Sequence, residues 1–199
     1  DVIDGGDGND FLYGEDDDDT ITGGTGNDFI DGGVDDDSLR GQQGDDTILG
    51  QDGDDTIGGG AGSDIIDGGD GDDFVEGGAD VDVILGEAGN DTLFGNADTD
   101  LILGGDDDDQ IFGGDGVDIL DGEAGNDTVD GGAGSDLILG EGGEDELIGA
   151  GGEDIILGGT GNDTIYGDGT TGEGNTATGG ADILFGQEGD DIIIGGTGD

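Results

Sequence analysis

The 199-residue chain has no cysteine, no histidine and no lysine, and its one basic side chain is Arg40. Without cysteine there is no disulfide, no thiolate zinc site and no thiol nucleophile. Without histidine or lysine there is no imidazole base, no Ser-His-Asp arrangement and no Schiff-base amine. Nucleic acid is excluded as a direct partner, because gripping phosphates takes cationic side chains. No apolar run approaches the ~20 residues that span a bilayer, so no membrane insertion is expected, and no signal-peptide pattern opens the chain.

What is abundant is glycine, with 55 residues, and carboxylate, with 56 Asp and Glu against one Arg for a formal charge of −55. By charge and hydrophobicity alone such a chain repels itself and has little apolar surface to bury, which is the composition of a disordered polymer. A counter-cation is the missing stabilising term.

The chain is nevertheless ordered as a pattern. Laid over Gly23 to Asp31, it repeats every nine residues. Position one is Gly at Gly5, Gly14, Gly23 and every ninth residue to Gly158, eighteen repeats without insertion. Position six is Asp in all eighteen and position eight is aliphatic in all eighteen, from Leu12 and Ile21 to Ile165. A period this strict makes the repeat the unit of the fold. Positions one to six read as a turn, and positions seven to nine as a very short strand with its middle side chain inward. Gly at positions one, two and four allows positive φ and close backbone approach. Position four is Asp instead at Asp17, Asp35, Asp80, Asp98 and Asp107, which adds charge to the rim or holds an extra ion.

The spacing breaks once, near residues 167–178, where Gly167 and Gly186 stand 19 apart; the irregular stretch reads as a loop that replaces one strand. Periodicity resumes with Asp182 and Asp191. Both termini cut a repeat, which predicts one array over 1–199 taken from a longer repeat protein.

The pattern Gly-Gly-x-Gly-x-Asp-x-aliphatic-x resembles the calcium-binding nonapeptide of the RTX (repeats-in-toxin) family over essentially the whole chain. The donor chemistry agrees with the resemblance. Calcium takes six to eight hard oxygens, and a glycine-rich turn with one Asp offers carbonyls and a carboxylate, whereas a soft metal would want the absent Cys or His. The resemblance implies an all-β fold, a right-handed parallel β-roll with two nonapeptides per 18-residue turn. It also implies calcium held between stacked turns, about one ion per repeat.

The ligands would be two columns of position-six carboxylates. One is Asp10, Asp28, Asp46, Asp64, Asp82, Asp100, Asp118, Asp136 and Asp154; the other is Asp19, Asp37, Asp55, Asp73, Asp91, Asp109, Asp127, Asp145 and Asp163, with Asp182 and Asp191 beyond the break.

Positions seven and nine flank the inward residue and should point outward, on opposite sheets in alternate repeats. On one sheet they are rich in Leu, Ile and Phe, including Phe29, Leu85, Leu103, Leu139 and Leu157; the other carries Thr, Ser and Gln at position seven. One outer face is thus expected to be apolar and the other mostly polar, the apolar one covered by a second copy or a neighbouring domain. Arrays similar to this one occur in secreted adhesins, surface-layer proteins and toxins exported by type I secretion. The expected function is a calcium-folded rod or spacer, extracellular or at the cell surface, with no enzyme activity of its own. The alternatives are a non-catalytic module of a secreted enzyme or toxin and an ice-binding solenoid.

Overall fold

The computed structural model describes residues 1–169 and 180–196. Among these there is no helix and there are twenty-one strands, starting with Val2–Asp7, Phe11–Asp16 and Thr20–Thr25 and ending with Ile183–Glu188 and Ile192–Ile194. Odd-numbered strands make one sheet of eleven and even-numbered strands a second sheet of ten, all parallel. Up to the break in spacing, paired residues stand 18 apart, as in Leu85 with Leu103 and Phe94 with Phe112. Two repeats therefore close one coil, and the coils stack into a β-solenoid.

Stacking follows from position eight. In seventeen successive repeats, from Ile21 to Ile165, its side chain is essentially inaccessible and packs between the sheets, with Ile3, Leu12 and Leu184 at the ends. A lone apolar side chain per repeat cannot be buried within its own coil, so burial is achieved only by neighbours above and below. Ile, Leu and Val at this position suit a parallel strand buried on its inner face.

Strands are longer than the three residues expected. Most span six, from position seven through position three, so the Gly-Gly-x segment belongs to the strand and the turn shrinks to positions four to six. The reason is that the glycine segment pairs with its copy in the next coil, as in Gly6 with Gly24, which satisfies backbone groups that a free turn would leave to water.

The three glycine positions also differ in their causes. Positions two and four do have positive φ, as at Gly24 (114°) and Gly26 (118°). Side chains are accepted at position two in the left-handed region, as at Glu123 (67°), Glu141 (63°) and Ala150 (68°), and at position four at Asp17, Asp35, Asp80, Asp98 and Asp107. Position one has no positive φ from Gly5 to Gly158; there the absence of a side chain matters, as described below.

The break in spacing replaces no strand. Thr164–Asp168 lies in the odd sheet, Ile183–Glu188 in the even sheet and Ile192–Ile194 again in the odd one, so the alternation is unbroken. The extra residues fall within one connection, and residues 170–179 themselves lie outside the described residues. Beyond them Ile156 pairs with Leu184 and Ile165 with Ile193, in the register of every other coil.

The outer faces are more alike than expected. On the even sheet, Leu85, Leu103, Leu139 and Leu157 point outward and are half-buried among their neighbours. The odd sheet is mostly polar at position seven, with Phe74 an exception, and its position nine carries Phe94 and Phe112, whose rings stack at 4.8 Å with Phe74 adjoining at 5.5 Å from Phe94. Its threonines form no continuous rank: Thr92 sits between Phe74 and Gln110.

Candidate calcium sites

Every described position-six Asp falls into one of two columns, one along each edge where the chain passes between sheets. Within a column the backbone N–H of each Asp donates to Oδ1 of the Asp one coil later, at 2.7–3.1 Å. Asp10 donates to Asp28, and Asp28 to Asp46. The ladders continue across the insertion, from Asp154 to Asp182 and from Asp163 to Asp191, both at 3.1 Å. The structure therefore brings together all twenty carboxylates that the repeat singles out.

The second oxygen of each carboxylate has a different fate. Oδ2 is buried without any hydrogen-bond partner in Asp10, in Asp19 and on through both columns to Asp163, and in Asp182. Buried polar atoms are nearly always paired, and an orphaned carboxylate oxygen costs more than a neutral one. Here the orphan recurs at a fixed place in every coil.

Position one explains itself beside this oxygen. A Cβ on Gly113 would stand 2.6 Å from Asp118 Oδ2 and 2.6 Å from the carbonyl oxygen of Gly131. At Gly149 the two distances are both 2.5 Å, to Asp154 Oδ2 and the Gly167 carbonyl. An orphaned carboxylate oxygen and a backbone carbonyl of the next coil thus converge on the space that a side chain would fill.

The electrostatics have the same origin. Burial, with like-charged neighbours in the column adding to it, pushes the carboxyls of Asp55, Asp73, Asp82, Asp91, Asp109 and Asp145 up to about 7, although the backbone hydrogen bond opposes the shift. Asp64, Asp100, Asp127 and Asp136 rise to about 6 for the same first cause. Columns of buried carboxylates with no cationic side chain beside them are unfavourable as anions and favourable as cation ligands.

Among the described residues no three acidic side chains converge in the manner of an all-carboxylate metal cage. Any ion in these turns must draw most of its oxygens from the backbone, which suits calcium and suits neither a soft metal nor a strict octahedral one. The donor set fits calcium on the orphaned oxygens, the glycine cradle and the hard-oxygen chemistry.

Sequence reasoning missed a second ladder. At position five the direction is reversed: Asp45 N–H donates back to Asn27 Oδ1, Asp72 to Asp54, and Asn126 to Asp108. Position five is mostly Asn, Asp, Ser or Glu, residues able to accept from the backbone, and that was the available signal, although Val81, Thr99 and Val117 interrupt the run.

A solenoid of nonapeptides with an unpaired buried carboxylate oxygen in every turn defines the class of calcium-binding β-solenoid repeats. The chain matches the family of the RTX calcium-binding nonapeptide repeat (4 copies), in overlapping segments 1–30, 31–66, 50–84, 58–93, 76–111, 94–129, 112–147, 121–156, 148–171 and 176–199. It belongs to that family. No curated protein matches it.

Proposed function

We propose that this chain is a calcium-folded structural segment, a rod or spacer within a large secreted or cell-surface protein. The observation that carries the reading is the unbroken series of buried, unpartnered Oδ2 atoms in both columns. The position-six residues, from Asp10 and Asp19 to Asp182 and Asp191, hold calcium at about one ion per nonapeptide, with glycine-turn carbonyls completing each site. Bound calcium supplies positive charge between stacked turns. The chain supplies everything else: the ladder orients each carboxylate, position one leaves room, and position eight holds the coils in register. Its role is structural rather than catalytic.

Where calcium is scarce, the acidic chain is kept unfolded by its own charge, and it folds where calcium is plentiful, which suits export ahead of folding. The same reading has the apolar face of the even sheet covered in the assembled protein, by another copy or by a neighbouring domain. A calcium titration followed by far-UV circular dichroism tests the function: β signal should appear on addition and vanish with chelator, and metal analysis should return some 16 to 20 ions per chain, as one per repeat requires. A chain that keeps its β signal in chelator at or above neutral pH, or returns only a few ions, refutes the reading.

A further inference from the structure

The even sheet carries a feature that the calcium turns do not use. Its outer face has an apolar row at position seven, Val83, Leu101, Ile119, Leu137 and Ile155, in register with a position-nine row of Leu85, Leu103, Leu139 and Leu157 that Asp121 interrupts between Leu103 and Leu139. Ile119 and Ile155 are 43% and 41% exposed. Beside the position-nine row runs a groove of about 650 Å³, lined by Asp70, Glu87, Asp106, Asp121, Glu123 and Glu141 with Gly105, Ala88 and Ala124 between them. Position two stands two residues beyond position nine, so the acidic row runs parallel to the apolar one about 7 Å away.

No hydrogen bond or ion pair to a cationic side chain relieves these carboxylates among the described residues. Asp121 and Glu123 are raised from their ordinary values, first by burial and then by acidic neighbours. They belong to positions two and nine, outside the calcium columns, so their charge remains when the turns are filled.

The groove narrows what can cover this face. A second copy would bring 56 acidic residues and one arginine, and its own groove would meet this one with like charge. An anionic membrane is repelled in the same way. We infer that the even sheet docks a basic amphipathic helix of a neighbouring domain or partner protein, its apolar stripe on the leucine rows and its Lys or Arg stripe in the groove of Glu87, Glu123 and Glu141. The spacings suit it: a helix turn advances about 5.4 Å and a coil about 4.8 Å, so the two run together over the five to six strands that an 18-residue helix spans. This inference rests on the calcium-folded rod.

The test uses a fluorescent 18-residue peptide of Leu and Lys at helical spacing, and a scrambled peptide of the same composition, against the calcium-loaded chain by anisotropy. The amphipathic peptide should bind saturably and at least tenfold more tightly than the scrambled one. Affinity should fall at least tenfold in Glu87→Gln/Glu123→Gln/Glu141→Gln, at least tenfold in Leu85→Asn/Leu103→Asn/Leu139→Asn, and steeply with added salt. Equal binding of both peptides, or binding indifferent to the glutamate triple and to salt, overturns the inference, as does a calcium-dependent homodimer in sedimentation that the peptide fails to displace. Circular dichroism separates the two failures: loss of calcium-induced β signal in the unmodified chain refutes the rod, whereas a normal signal without peptide binding refutes only the docking.

Discussion

Gly149→Ala and Ala150→Gly are neighbouring substitutions that should behave in opposite ways. Gly149 is at position one, where a Cβ would stand 2.5 Å from Asp154 Oδ2 and 2.5 Å from the Gly167 carbonyl oxygen. Ordinary contact needs about 3.4 Å, so one or both oxygens must retreat by close to 1 Å, and these are the oxygens proposed to hold an ion. Overpacking of this kind costs about 1–3 kcal/mol before any ligand is lost. A displaced carboxylate then weakens the ion between coils; at about 1.4 kcal/mol per tenfold, a loss of ten- to a hundredfold in affinity at the Asp154 turn is expected. Ala150 is at position two with φ at 68° and already carries a Cβ there. Replacing it with Gly relieves left-handed strain and frees the unfolded chain, two effects that nearly cancel, so stability should change by less than about 1 kcal/mol. Calcium titrations by calorimetry and circular dichroism, with metal counts on the folded protein, read both variants. If Gly149→Ala binds calcium like the parent, or Ala150→Gly is equally damaging, the reasoning about position one is wrong.

Three further outcomes follow from the same structure. In chelator, the folded form should gain stability on acidification: with Asp55, Asp73, Asp82, Asp91, Asp109 and Asp145 raised to about 7 and an unfolded value near 3.9, it binds more protons than the unfolded chain throughout that window. Their destabilisation is complete above about pH 7 and gone below about pH 4, so metal-free β signal should rise as pH falls between them, and a flat profile sinks the idea. Asp100→Asn keeps an oxygen for the Asp82 N–H, now 2.8 Å from Oδ1, but puts an amide nitrogen where the orphaned oxygen lies. The variant should fold in calcium and lose one or two ions by mass spectrometry under native conditions; an unchanged count contradicts the assignment. Ile102→Ala empties a fully buried position between the sheets and should cost about 2–5 kcal/mol in calcium-loaded unfolding, with the ion count unchanged.

Much of this architecture was legible from residues alone. Asp at position six and an aliphatic residue at position eight, each in eighteen consecutive repeats, were enough to predict the repeat unit and its inward side chain, and the resemblance to the RTX nonapeptide implied the two-repeat coil and the two carboxylate columns. The strand length was misjudged because glycine reads as turn in a local window, while its pairing partner lies 18 residues away. Position one was assigned to backbone freedom for the same reason: nothing near Gly149 in the chain announces that the Gly167 carbonyl will stand against it. The aromatic stack of Phe94 and Phe112 was not legible because the two rings stand 18 residues apart in the chain and meet only when the coils stack.

The nine-residue period with one apolar side chain per repeat determined by itself that burial needs stacked repeats, and the resemblance to the RTX nonapeptide implied the 18-residue coil and which carboxylates line up. Tertiary structure decided what each oxygen does. Oδ1 is taken by the N–H of the coil before it and Oδ2 is left buried and unpaired, because that choice depends on the distance between stacked backbones. It also decided that Glu87, Glu123 and Glu141 share a groove beside the leucine rows, since residues so far apart in the chain become neighbours only when the coils close.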